Sequence, residues 1–332
     1  MSKNQTVIDL IDERLDRLTS LDIGGRGVEH LYLAARQKLG NKTLIGAAAD
    51  ALNNIPDGST ILMTTGSVSR AWISAEIGEN DGPAGAAIIA RALSIGKRVH
   101  CVVVAEATLI PGMEKIFTEA GLTVLPFEQA KIACADGTLA VVSMAPFTTS
   151  DEDAVEESKK MIDRYQPTLL FSTERVGRAE DGKYYSMRAI DYGMGRSRID
   201  YLFDEAVKRQ IPTVAVGDGG NEIGMGAITE AVHAHVKFGD KIAAISKTDV
   251  IVTAACSNWG CYAIAGALAA RRKNIRLINT PELERNLLLR GVDVGLINSV
   301  DNVVDPNVDG INLDTHVALV ELISAVIKPA FK

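Results

Sequence analysis

Thr60-Ile61-Leu62-Met63-Thr64-Thr65 is followed by a helical stretch from Ala84 to Leu93 and then by Val99-His100-Cys101-Val102-Val103-Val104-Ala105. A short apolar run, a helix-length stretch and a second apolar run are what a parallel crossover requires, because a strand covered on both faces needs no polar alternation. The pattern repeats. Leu122 to Leu125, Leu139 to Ser143, Thr168 to Ser172, Pro212 to Val216 and Asp249 to Thr253 read as further strands, and Ala154 to Tyr165, Ile199 to Gln210 and Tyr262 to Arg271 as helices. The fold expected is α/β: a doubly wound, mostly parallel, Rossmann-like three-layer sheet with helices on both faces.

Upstream of this unit, Ile8, Ile11, Leu15 and Leu18 recur at helical spacing, Gly24-Gly25-Arg26-Gly27 breaks the chain, and Val28 to Leu39 and Leu44 to Leu52 read as two more helices. Residues 1–56 are therefore expected to be a helical arm packed on a single α/β catalytic-type domain, residues 57–332. The arm also makes a homo-oligomer the expected state. Between Gly177 and Arg198, Gly, Tyr, Met and charges mix without a period, which suits a functional loop.

The 332 residues are 47% hydrophobic and 23% charged, as a globular chain with a large core should be. The net charge of −7 and the lack of a Lys/Arg cluster argue against a nucleic-acid partner. No apolar run is long enough to cross a membrane and no signal peptide is visible. Four cysteines in so long a chain make neither a disulfide framework nor a metal knuckle, so a reducing, cytoplasmic compartment is expected. Five of the 29 glycines fall between Gly217 and Gly226.

In a parallel sheet, ligands collect beyond the C-terminal strand ends. The segments there are Thr64-Thr65-Gly66-Ser67, Ser172-Thr173-Glu174-Arg175, Gly217-Asp218-Gly219-Gly220-Asn221-Glu222-Ile223-Gly224-Met225-Gly226 and Ala255-Cys256-Ser257-Asn258-Trp259-Gly260. These four loops are expected to converge. The glycine-rich one lacks both dinucleotide and P-loop spacing and carries no Lys or Arg. Its two carboxylates, Asp218 and Glu222, would repel a phosphate and suit an ammonium group or a divalent cation; the alternative is a tight turn whose acids cap the next helix. No NAD site is therefore expected, and no PLP lysine is apparent.

Glu79-Asn80-Asp81-Gly82-Pro83 reads as a capped helix start with ligand oxygens to spare. Ser257-Asn258 reads as an N-cap, with Trp259 as a wall of the site. Arg175 is the candidate for clamping a substrate carboxylate in a bidentate fork, with a surface ion pair as the plainer alternative. Arg188 and Asp191, in the aperiodic loop, are candidates for closing over the site. His233 and His235, two apart, do not share a helix face, and His100 lies inside a strand. No nucleophile elbow is present, and Cys256 and Cys261 lack an obvious base.

Several of these runs, together with Leu44-Ile-Gly-Ala-Ala-Ala-Asp50 and Asp181-Gly-Lys-Tyr-Tyr-Ser-Met-Arg188, resemble the C-terminal domain of the D-glutamate cyclase family, here as a stand-alone chain. The likeness extends from roughly residue 28 to near the C-terminus, and the glycine-acid motif is its most specific part. The resemblance implies a hydro-lyase that interconverts D-glutamate with 5-oxo-D-proline and water, acting on a small amino-acid substrate. In that chemistry Arg175 would hold the α-carboxylate, Asp218 or Glu222 would take the amine proton, and Glu174 would assist. A divalent ion, Mg²⁺ or Mn²⁺, would sit on Asp218, Glu222, Asp81 and Glu174. Thr65, Gly66, Asn80, Asp81, Arg188, Gly219, Gly220, Asn221, Ser257, Asn258 and Trp259 would line the substrate site. A metal-dependent phosphoester or nucleotide hydrolase and a non-catalytic small-molecule sensor are the competing expectations.

Overall fold

The computed structural model describes residues 3–332. Three helices, α1 (Lys3–Thr19), α2 (Val28–Lys38) and α3 (Leu44–Asn54), precede strand β1 (Thr60–Thr65). The chain continues through α4 (Pro83–Lys97), β2 (His100–Ala105), α5 (Ile110–Glu119), β3 (Thr123–Val124), α6 (Phe127–Asp136), β4 (Val141–Pro146), α7 (Asp151–Tyr165) and β5 (Leu170–Thr173). After a long irregular segment come α8 (Asp200–Lys208), β6 (Thr213–Gly217), α9 (Thr229–His235), α10 (Gly239–Ile242), β7 (Val250–Thr253), α11 (Ser257–Arg272), α12 (Pro281–Asp293) and α13 (Leu313–Ile327).

The seven strands form one sheet in the order β3-β4-β2-β1-β5-β6-β7, and every pairing is parallel. The expected doubly wound fold is the observed one. Strand side chains alternate between faces. Ile61, Met63, Cys101, Val103 and Phe171 therefore pack into the core formed with α4 and α11, while Leu62, Val102, Val104 and Leu170 meet Met161 and Ile162 of α7 and Leu202 and Phe203 of α8. Both faces are covered, which is why these strands carry so few polar residues.

Helix α11 is buried from Ser257 to Ala270. Its Ala- and Gly-rich sequence permits close approach, and Ile11, Leu15, Leu44 and Ile45 from α1 and α3 join the core around it. The N-terminal helices are thus packed into the same apolar cluster as the sheet face. Among the described residues no helix is long and apolar enough to cross a membrane.

The connections out of β1 and β5 run to opposite sides of the sheet, so the switch point lies between these neighbouring strands. It places the loop after Thr65 beside the loop after Thr173. The irregular segment 177–198 folds back over this edge. Arg178 pairs with Asp200 (2.5 Å) and also with Asp204, Tyr184 donates to Asp200 (2.6 Å), and Arg196 is wholly buried against Ser67 and the Val68 carbonyl.

Candidate functional site

The four strand-end loops meet at the switch point. Gly82 joins them: its φ of +99° is open to glycine, and a Cβ there would stand 2.7 Å from Thr65 Oγ1 and 2.8 Å from Glu174 Cβ. Asp81 caps two helices at once, accepting from the N–H groups of Gly82 (2.9 Å), Ser257 (3.0 Å) and Asn258 (3.0 Å). Asn258 repays the contact by accepting from the N–H groups of Gly82 (3.2 Å) and Gly85 (2.6 Å). Ser257 donates its hydroxyl to Glu174 (2.6 Å), which itself adopts the left-handed region at φ 52°. Two polar atoms in this layer, Thr65 Oγ1 and Asn258 Nδ2, are buried without a partner.

Three expectations are corrected. Glu222 turns both oxygens inward: Oε1 accepts from the N–H groups of Asp218 (3.1 Å) and Gly219 (2.7 Å), and Oε2 from that of Gly220 (2.7 Å). Its carboxylate braces the glycine-rich loop, and it does not stand in the close carboxylate group formed by Asp81, Glu174 and Asp218. Arg175 is fully buried, with its fork closed on Glu106 (2.9 and 2.7 Å) and further bonds to the carbonyls of Gly66 and Ser197. Both terminal nitrogens are taken and only the buried Nε lacks a partner, so no two-pronged fork is left for a substrate carboxylate. Trp259 is buried rather than a wall; its indole N–H donates to His316 Nδ1 (2.8 Å), and His316 Nε2 contacts the carbonyls of Val308 (3.3 Å) and Ile311 (3.2 Å). The pair holds the loop that carries Asp309.

Asp309 and Arg26 are the site residues that strand-end reasoning passed over. Arg26 Nη2 donates to Asp218 Oδ2 (2.6 Å), Asp309 Oδ2 (3.1 Å) and the Ala255 carbonyl (2.8 Å). Asp22 sets its loop, accepting from the N–H groups of Arg26 (2.9 Å) and Gly27 (2.6 Å). Burial lifts Asp218 well above the usual carboxylate range, with Arg26 opposing and Glu174 reinforcing the shift. Burial and then the negative charges of Asp81, Glu222 and Asp309 lift Glu174 in the same way. Asp81 also rises, through burial and then Asp309. Burial works against Asp309 too, but Arg26 and hydrogen bonding with Asp218 and Asp81 win, and its carboxyl lies below its ordinary value. Burial thus pushes the Asp218, Glu174 and Asp81 carboxyls up, while the Arg26 guanidinium and its neighbours hold Asp309 down.

Above this floor opens a cavity of about 840 Å³. Of the residues expected at the site, Glu174, Asp218, Asn221 and Arg188 line it; Thr65, Gly66, Asn80, Asp81, Gly219, Gly220, Ser257 and Asn258 form the layer that shapes and supports the floor. Asn80 ties this layer to the C-terminal loop through the Asn307 carbonyl (2.5 Å). The mouth bears cations: Arg70, held by Ser69 and Asn302, Lys237, and the exposed Arg188, which makes one long bond to the Val300 carbonyl (3.4 Å). Asp191, the other residue expected to close over the site, pairs with Lys183 (3.9 Å) and bridges back to Tyr185 within its own loop. A basic mouth over an acidic floor matches a ligand with separated carboxylate and ammonium ends.

The family model described as "D-glutamate cyclase-like, C-terminal" matches residues 15–324. The chain belongs to this family. The D-glutamate cyclase-like chain is also 32% identical, over 262 residues, to the human mitochondrial D-glutamate cyclase. That match covers 76% of the present chain and 38% of the human protein, so the chain spans well under half the length of this relative.

Asp81, Glu174 and Asp218 each present an oxygen within 4.8 Å of the others, and Asp81, Cys256 and Asp309 form a second such group. The hard carboxylate oxygens of Asp81, Glu174 and Asp218 are a donor set of the kind that Mg²⁺ or Mn²⁺ takes.

Proposed function

We propose that this D-glutamate cyclase-like chain is a hydro-lyase that closes D-glutamate to 5-oxo-D-proline with loss of water, and runs the reverse reaction. The observation that carries this reading is the placement of buried carboxyls and one guanidinium at the floor of a cavity whose mouth is basic. Ring closure forms a bond between the amine nitrogen and the γ-carboxyl carbon and breaks one C–O bond of that carboxyl. Two protons leave the ammonium nitrogen, and the departing oxygen takes up two as it becomes water. No net proton, electron or second substrate is consumed. The reaction needs groups that accept and return protons beside two adjacent atoms, and a surface that folds the substrate.

Asp218 and Glu174 would bind the ammonium end and move its protons to the departing oxygen. Arg188 at the mouth would take the α-carboxylate. Asp81 and Glu222 would act through the backbone, by fixing the helix N-termini and the glycine-rich loop. A divalent ion, if bound, would be held by Asp218, Glu174 and Asp81 and would supply electrophilic polarisation of the γ-carboxyl group.

Incubation with D-glutamate, L-glutamate and 5-oxo-D-proline, with and without Mn²⁺ or Mg²⁺, followed by mass, tests the reading. Turnover of the D-compounds supports it. Absence of turnover under every condition, or phosphate release from a generic ester panel in its place, refutes it.

A further inference from the structure

We propose that Arg26 binds the carboxyl group that closes the ring, so that the segment joining α1 to α2 supplies a catalytic residue to the floor of the α/β site. The inference rests on the cyclase reading and extends it to the substrate's second carboxylate. In a reactive pose the amine nitrogen and the γ-carboxyl carbon stand about 3–3.5 Å apart. Whatever holds the amine therefore has the γ-carboxyl beside it, and the groups that hold the amine are acids. A carboxylate placed among Glu174, Asp218 and Asp309 is repelled unless a cation stands at the same depth.

Among the described residues lining the cavity, Arg26 is the cation that touches these acids. Arg175 and Arg196 are closer to the sheet but fully buried and already bonded, and Arg70 and Arg188 sit at the mouth. The three bonds of Arg26 all run from Nη2. Nη1 and Nε have no acceptor among the described residues, and a quarter of the side chain remains open to the cavity. The guanidinium is thus anchored at one nitrogen while its other donors are available, as a group stabilising a developing oxyanion should be. Its backbone is prepared for this reach: Gly25 and Gly27 adopt φ values of 64° and 85°, and Asp22 clamps the turn.

The test compares D-glutamate with D-glutamine, whose neutral amide replaces the γ-carboxylate. Binding is measured by calorimetry on the full chain and on its Arg26→Met and Arg26→Lys variants, with thermal unfolding as the check on fold. The wild-type chain should prefer D-glutamate by roughly 10- to 100-fold, the scale of one charged contact in a partly desolvated site. Arg26→Met should reduce that preference to within about twofold, and Arg26→Lys, which keeps the charge beside Asp218 and Asp309, should retain part of it. If Arg26→Met fails to fold, the Lys variant and its lowered kcat carry the reading. A folded Arg26→Met chain with the wild-type preference overturns the inference while leaving the cyclase reading intact. Loss of the preference on chelation alone also overturns it, because a metal then holds the carboxyl. A wild-type chain that neither binds nor turns over glutamate overturns both.

Discussion

Replacing Glu222 by Gln separates a brace from a proton carrier. The carboxylate is 2% exposed and receives three backbone N–H groups, two at Oε1 and one at Oε2. The best placement of a glutamine keeps its oxygen at Oε1, where Asp218 and Gly219 donate, and turns its NH₂ toward the Gly220 N–H. One buried donor then loses its acceptor, at a cost of about 1–3 kcal/mol, and the two surviving bonds lose the strengthening that an anionic acceptor gives. The expected loss is about 2–4 kcal/mol in urea unfolding. With an unfolding entropy of about 2.1 cal/mol/K per residue over 332 residues, that is a fall in Tm of roughly 3–6 °C. Turnover should fall with it, because Asp218 rides on the same loop. An unchanged urea midpoint with turnover abolished would refute the brace and restore Glu222 as a reacting group.

Arg175→Met should cost about 3–5 kcal/mol by leaving the buried Glu106 unpaired, read as a lower urea midpoint; a raised KM at wild-type stability would contradict this. Gly82→Ala must place a Cβ against Thr65 and Glu174 at φ +99°, so stability should drop by more than about 1 kcal/mol and turnover should drop as Glu174 shifts. Glu284, wholly buried and bonded by Asn279 (2.8 Å), is raised by burial from 4.5 to about 7. The folded chain therefore holds a proton that the unfolded chain releases, so its contribution is present below pH 4.5 and is lost as pH rises to about 7. Glu284→Gln should accordingly be more stable than wild type at pH 8, by up to about 3 kcal/mol, with the gain vanishing near pH 4; a gain independent of pH would show that the carboxyl is not the cause.

The strands were legible because a parallel sheet covered on both faces leaves runs such as Val102-Val103-Val104 unbroken by polar residues. Their ends moved by one to three positions, as with β4, which begins at Val141 rather than Leu139 and continues to Pro146 rather than stopping at Ser143. Convergence of the four loops was legible too, since it follows from topology alone. The rule also reached too few strands: Glu106 directly follows β2, and reading that strand end would have found the partner that occupies Arg175. Arg26 and Asp309 left no comparable signal. They meet Asp218 and each other across separations of 192 and 283 residues, from loops whose only visible mark is glycine, in Gly24-Gly25-Arg26-Gly27 and at Gly310.

Identical residue types at this floor perform different work, and the division follows from where their lone pairs go. Asp81 and Glu222 receive backbone N–H groups, three each, and so fix two helix N-termini and a glycine-rich turn. Glu174, Asp218 and Asp309 receive side-chain donors and face the cavity. Two of those three, Glu174 and Asp309, are held at positive φ, a conformation that costs a non-glycine residue about 1–3 kcal/mol and persists where the surroundings impose it. Here the imposing groups are identifiable: Ser257 on the Glu174 carboxylate, and the Trp259–His316 pair beneath the Asp309 loop. Capping acids therefore build the frame that brings the cavity-facing acids together against their mutual repulsion. Arg26, arriving from outside the sheet, is the cation that makes their proximity tolerable.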